Sequence, residues 1–191
     1  MKLFIDHVNW PEAFPEKPEA SVELHNDHEY LYLHFRVKGE QLRAVTTEDQ
    51  GPVWEDSCVE FFCQVPRDKH YYNFETNCIG AMVASRRLGR AEDVQALPVE
   101  EMALIQRKCT FPREAFEEKD GLFEWTVEER IPLNLIFQSP ISHLQFPLTL
   151  RANFYKCADK TKRPHFLSWR PIDLPKPDFH CPQFFGEITL T

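Results

Sequence analysis

The run SCVEFFCQV at 57–65 decides the fold. It alternates, with Val59, Phe61, Cys63 and Val65 on one side and Cys58, Glu60, Phe62 and Gln64 on the other. A period of two over this length is that of a β-strand with two distinct faces. The next run, HYYNFETNC at 70–78, repeats the pattern: Tyr72, Phe74, Thr76 and Cys78 stand against Tyr71, Asn73, Glu75 and Asn77. Further out, EYLYLHFRV at 29–37 sets Leu31, Leu33, Phe35 and Val37 against Tyr30, Tyr32, His34 and Arg36. LFEWTVEERI at 122–131 sets Phe123, Trp125 and Val127 against Glu124, Thr126 and Glu128. LTLRANFYKC at 148–157 alternates as well, and FFGEITL at 184–190 reads as a closing strand.

Helical signals are few. PVEEMALIQ at 98–106 has room for a turn or two, and IPLNLIF at 131–137 for another after Pro132. Long helical crossovers, which parallel sheets require, are missing. Many short strands with one or two short helices indicate an all-β, antiparallel β-sandwich or barrel. Nothing divides the chain, so residues 1–191 are expected to form one domain. Proline is abundant at 15 residues and glycine scarce at 6. Four of the prolines fall in RPIDLPKPDFHCPQ at 170–183, which reads as an ordered wrapping loop, because fixed φ angles lower the entropy cost of an irregular path.

Composition narrows the function. The formal charge is −8, from 22 basic and 30 acidic residues. That balance argues against nucleic acid and against anionic lipid as partners. No apolar run approaches the roughly 20 residues of a membrane span. The start, MKLFIDHVNWPEAF, carries Asp6 and Trp10-Pro11 where an export signal keeps an apolar stretch, so a cytoplasmic location is expected, or a secreted or periplasmic one if a leader has been removed. The six cysteines include no CxxC pair and several sit in apolar runs. Reduced, buried thiols are the expectation.

No nucleophile elbow, phosphate loop, dinucleotide fingerprint or zinc-protease motif is present, which lowers the case for an enzyme. Glu60 and Glu75 occupy the polar sides of consecutive strands, as do Asn73, Asn77, Arg151, Asn153 and Tyr155. Amides, a guanidinium and carboxylates along one sheet face supply donors and acceptors suited to sugar hydroxyls. A solvated outer face is the competing explanation. Trp54, in GPVWEDS, and Trp169, in HFLSWRP, stand at loop–strand junctions and could add an apolar platform. Trp10 and Trp125 read as packing. RRLGR at 86–90 reads as a solvated hairpin turn at Gly89, with Arg86 or Arg87 able to reach a ligand. Cys157, His165, His180 and Cys181 match no zinc spacing, and Asp27, Asp49, Asp56 and Asp159 match no calcium loop. No cofactor is firmly implied.

The segments VWEDSCVEFFCQV, YYNFETNCIGA, RANFYKCADKT, PHFLSWRPI and PDFHCPQFFGEITL resemble the family 9 carbohydrate-binding modules, above all the stand-alone proteins of Bacteroides-type bacteria. The likeness runs from NWPEAFPEKP to the end. Its most specific element is W-x-D-x-x-x-E-x-F, here Trp54, Asp56, Glu60 and Phe62. The resemblance implies an immunoglobulin-like, DOMON-like β-sandwich that binds an oligo- or polysaccharide, xylan among them, without catalysis, as an accessory to glycoside hydrolases. It implies two tryptophan rings sandwiching a sugar and a glutamate bonding its hydroxyls; the matching positions are Trp54, Trp169 and Glu60. Asn73, Glu75, Asn77, Arg151, Asn153 and Tyr155 rest on strand alternation alone. Structural calcium occurs in enzyme-attached members, without ligands that map here. Two rival readings stay open: a glycoside-processing enzyme using Glu60 and Glu75 as acid and base, and a DOMON-like haem domain, which would need an axial His or Met facing a pocket.

Overall fold

A computed structural model describes residues 1–191. Thirteen strands follow in chain order: β1 (Lys2–Phe4), β2 (His7–Val8), β3 (Glu19–Asn26), β4 (Tyr30–Ala44), β5 (Cys58–Gln64), β6 (Tyr71–Asn77), β7 (Met82–Arg87), β8 (Gln95–Ala96), β9 (Gln106–Cys109), β10 (Phe116–Pro132), β11 (Leu148–Cys157), β12 (Phe166–Ser168) and β13 (Gly186–Leu190). Two short helices, α1 (Val99–Met102) and α2 (Leu133–Phe137), interrupt them. α2 begins directly after Pro132, whose fixed φ suits a helix start. No helix is long and apolar enough to cross a membrane.

All strand pairs are antiparallel and form two sheets. One has the order β1-β3-β4-β10-β9; the other runs β2-β12-β11-β5-β6-β7-β8, with β13 also paired to β11. The inner faces meet in a cluster of 34 buried residues. Phe61 stacks on Phe74 and Phe154 there, at ring separations of 5.9 and 5.1 Å. This is the sandwich that the alternating runs imply. The strands at 29–37 and 122–131 prove longer than the sequence indicates, because β4 and β10 pair with each other along most of their length, from Tyr30–Pro132 to Ala44–Phe116.

One expectation needs correction. The alternation in β5 and β6 predicts strands with one buried and one open face, yet every residue of both is buried. The cause is a second apolar cluster on the outer face of the eight-stranded sheet. Phe62, Tyr71 and Tyr155 pack there against Ile172 and Phe179 of the proline-rich segment and Phe185 just after it. That segment folds over the sheet as a strap and covers most of its outer surface.

Register explains how the strap is seated. β11 gives one edge to two partners: β13 along Leu148–Ala152 and β12 along Tyr155–Cys157. Asn153 sits at the break. Its Oδ1 accepts from the Arg170 N–H at 2.9 Å and its Nδ2 donates to the Arg170 carbonyl at 3.1 Å, replacing the missing ladder bonds. Trp10 Nε1 donates to the Leu174 carbonyl at 2.7 Å, and the Ile172 N–H donates to Asn9 Oδ1 at 2.8 Å. Gly186 lets the chain after the strap pass close beneath it; a Cβ there would lie 2.4 Å from Arg170 Nε.

Candidate functional site

Where the strap leaves the sheet uncovered, a cleft of about 440 Å³ remains. Its floor is Glu60 of β5, Glu75 of β6, Val83 and Arg87 of β7, and Cys157 of β11. The strap supplies one wall through Pro177–His180, and Trp54, Phe166 and Asp159 frame the rest. The floor follows from pairing, since Glu60 stands opposite both Glu75 and Tyr155, and Glu75 opposite Val83. Opposed residues on antiparallel strands share a face.

Trp54 belongs to a short 3-10 turn, Val53–Glu55, and its side chain is 37% exposed at the cleft mouth. Two sets of bonds fix the turn. Its Trp54 and Glu55 carbonyls accept from the Asp159 and Lys160 N–H groups, each at 3.1 Å. After the turn, the fully buried Asp56 accepts from the Val45 and Thr46 N–H groups at 3.0 and 2.9 Å, from Asn77 Nδ2 at 3.0 Å, and from Arg43. The aspartate of the W-x-D element is therefore a scaffold residue that aims the tryptophan.

The floor is electrostatically unusual. Glu60 is buried, and its carboxyl accepts one hydrogen bond, from the Cys157 thiol at 3.0 Å. Burial pushes its pKa well above the ordinary carboxylate range, and the neighbouring Cys157 and Glu75 push the same way. Burial also raises Glu75 to about 7, against the opposing pull of Arg87 and the hydrogen bond from Asn73. Asp159 rises to about 6 by burial. His180 falls to about 3 through burial and the nearby Arg87 and Arg90, so it is a neutral imidazole, hydrogen-bonded through Nδ1 to the Tyr71 hydroxyl at 2.9 Å. The floor thus offers Glu60 with its proton affinity raised, Glu75 titrating near neutrality and the donor-only Arg87.

Of the side chains expected from the sequence, the structure brings Trp54, Glu60 and Glu75 together in the cleft. Asn73 lies one layer behind, donating to Glu75 Oε1 at 2.8 Å and accepting from Ser85 Oγ, which in turn bonds Arg87. Asn77 holds Asp56 and the Thr46 carbonyl. Arg151 bonds Gln64 Oε1 and the Pro182 carbonyl, and Asn153 ties down Arg170. Tyr155 stacks on Phe179 at 4.1 Å and donates to its carbonyl. Those four share the sheet face but serve the strap or the turn.

Trp169 is on the opposite side. The expectation of two tryptophans around one ring is corrected by β12: Ser168 pairs with outward-facing Tyr155, so the next residue points inward. Trp169 accordingly packs edge-on against the core Phe154 at 5.8 Å, under the Arg170 guanidinium. Phe166, two residues before Ser168, is the aromatic that β12 gives to the cleft. The same alternation, counted from HFLSWRP, identifies it. Of the two arginines kept as ligand contacts, Arg87 reaches the floor; Arg86 points to the other face and pairs with Asp68 at 2.9 Å.

The side chains weighed as metal ligands disperse. His165 contacts Lys156, His180 contacts Tyr71, and Cys181 Sγ donates to the Asp178 carbonyl. Asp27, Asp49 and Asp56 are occupied by Tyr32, by Arg107 with Arg113, and by Arg43 with backbone N–H groups. They do not make a calcium cage. Met102 is in the core between the sheets, and neither it nor any other methionine lines the cleft.

Comparison with known proteins adds the following. The model of carbohydrate-binding family 9 matches residues 1–190. A solved structure of a candidate carbohydrate-binding protein from Bacteroides uniformis is 39% identical, with a TM-score of 0.92, covering 100% of this chain and 86% of that one. A family 9 carbohydrate-binding module from Caldicellulosiruptor kristjanssonii, in complex with glucose, is 17% identical at a TM-score of 0.56, covering 92% of this chain and 78% of that one. A module from the same organism in complex with cellotriose is 13% identical at a TM-score of 0.56, covering 100% and 82%. No curated protein matches.

Proposed function

The chain belongs to carbohydrate-binding family 9, and from that premise we propose that the cleft holds a saccharide without transforming it. Trp54 stacks on the apolar face of a sugar ring at the mouth, opposite Phe166 and the strap wall. Glu60, Glu75 and Arg87 read the hydroxyls from the floor. The observation that carries this is one half-exposed indole standing over a buried, polar floor in a cleft of about 440 Å³. Small-ligand sites have that size and that division between apolar walls and a few convergent polar groups. A hydroxyl both donates and accepts, and two carboxyls beside a guanidinium, Glu75 among them titrating near neutrality, can answer either role.

The family is one of non-catalytic binding modules, and the two C. kristjanssonii relatives are bound to glucose and cellotriose. Both support a saccharide as ligand. Xylo- and cello-oligosaccharides are the first panel to test, and a role beside glycoside hydrolases follows if xylan fragments bind. Isothermal titration calorimetry should give heat with at least one oligosaccharide. In Trp54→Ala the affinity should fall about tenfold or more, the equivalent of about 1.4 kcal/mol. A flat trace across the panel overturns the proposal.

One observation favours a catalytic second reading. Glu60 and Glu75 are direct cross-strand partners, which places their Cβ atoms roughly 5 Å apart. Retaining glycosidases hold their two carboxyl groups about 5–5.5 Å apart, a separation that side chains rising from neighbouring strand positions can reach. Turnover of an aryl glycoside that vanishes in Glu60→Gln would establish it.

A further inference from the structure

Glu60, proposed above to read the saccharide, sits at the cleft floor in a cluster with two thiols that saccharide binding does not use. Cys58 and Cys157 are direct register partners on β5 and β11, and Glu60 is the next residue on the same face of β5. Cys58 Sγ, Cys157 Sγ and one Glu60 carboxylate oxygen all lie within 4.8 Å of one another, and all three residues are buried. Their rigidity comes from the ladder: each sits in the middle or at the end of a fully paired strand.

Two features point to a ligand here. No cationic side chain forms an ion pair with Glu60, and its one hydrogen-bond donor is the weak Cys157 thiol. The Cys58 thiol meets the Val59 carbonyl at a long 3.6 Å, and Cys157 also faces the Trp54 carbonyl at 3.7 Å. The other carboxyl oxygen of Glu60 has no protein partner, and Glu60 lines the cleft. Moreover, Glu60 and Cys157 line the cavity, so a fourth position on an ion held among them would face open space.

We propose that Cys58, Glu60 and Cys157 bind a thiophilic divalent cation of the zinc class, with its fourth coordination position open to the cleft. Two sulfurs and one oxygen suit zinc and exclude the hard cations calcium and magnesium. Tetrahedral coordination at ordinary bond lengths separates ligand atoms by roughly 3.5–3.8 Å, so modest side-chain rotation closes the cluster. Binding exchanges thiol protons for metal–sulfur bonds and releases those protons to solvent, so affinity rises with pH. Two thiolates and a carboxylate on a divalent ion leave one net negative charge, which faces Arg87 and Arg90 across the same cleft.

The test uses the full chain, metal-stripped and kept reduced with a phosphine, titrated with Co²⁺ in the absence of saccharide. The expected result is a saturable thiolate-to-cobalt charge-transfer band at one ion per chain, displaced by Zn²⁺. Cys58→Ser and Cys157→Ser should each weaken binding at least 100-fold, and Glu60→Gln about tenfold with the sulfur band retained. Cys63→Ser should bind normally, since Cys63 lies in the core between the sheets. Thermal melts identify any variant that fails to fold, and Glu60→Gln then decides alone. Absence of a saturable band, or a band unchanged in the cysteine variants, overturns the site. Because no sugar is present, this result is independent of whether the saccharide proposal holds.

Discussion

The two outer faces of the sandwich begin from the same sequence pattern and end in different states. On the five-stranded sheet, Tyr32, His34, Arg36 and Glu128 stay in contact with water. They interact with one another across strands: His25 stacks on Tyr32 at 4.6 Å, and the Arg130 guanidinium lies 3.6 Å from the Tyr30 ring centre. On the eight-stranded sheet, Glu60, Asn73, Glu75, Asn77, Asn153 and Tyr155 are all buried. The difference is the strap. Once it covers the sheet, each polar group beneath must find a partner inside the protein. Most do so by holding the strap or the Trp54 turn. The cleft is the place where the strap leaves polar groups, Glu60, Glu75 and Arg87, lining open space.

The largest expected effect comes from removing the strap's aromatic seat. Tyr155→Ala loses the stack on Phe179 and the bond to its carbonyl in a fully buried setting. Urea unfolding should show a loss of about 3–5 kcal/mol. Tyr32→Ala, the comparable change on the open face, should cost about 1 kcal/mol or less. Equal losses would mean that the strap does not separate the two faces energetically. Next in size, Asp56→Asn removes the charge from a buried carboxylate that pairs with Arg43 and accepts two backbone N–H groups. Breaking such a pair costs about 3 kcal/mol. Saccharide affinity, measured by calorimetry, should fall with it, because the turn carrying Trp54 is loosened.

Sequence reading recovered the strands because alternation is a local signal, and β5, β6 and β11 do place the expected polar residues on one face. It could not tell an open face from a roofed one. Asn153 and Arg151 look like ligand-binding side chains in RANFYKC, but their partners, Arg170 and Pro182, come from the strap. Trp169 was legible and was misassigned: counting in twos from Phe166 turns it inward. Asp178, Phe179 and His180 reach the cleft by the path of an irregular segment, for which no periodicity exists to read. The long β4–β10 pairing was missed for another reason. Its bulged stretch, around Asp120 and Phe123, breaks the period of two.

A smaller effect separates binding from stability. Trp54 is exposed enough that Trp54→Ala should change stability by about 0.5 kcal/mol or less, while reducing saccharide affinity about tenfold. Tyr155→Ala should do the reverse at temperatures where the strap stays seated. A double dissociation of this kind would sharpen the division between residues that hold the roof and those left for the ligand.

A last effect is a pH slope. Glu75 has a folded-state pKa raised from 4.5 to about 7, chiefly by burial. A raised carboxyl binds its proton more tightly in the folded state. Its contribution to stability is therefore fully present below the unfolded value near 4.5 and is lost as pH rises through about 7. Unfolding free energy measured between those limits should decline, and Glu75→Gln, which cannot ionise, should flatten part of that decline by about 1–2 kcal/mol. If Glu75→Gln leaves the slope unchanged, burial under the strap does not set the proton affinity of the floor, and the contrast between the two faces reduces to packing alone.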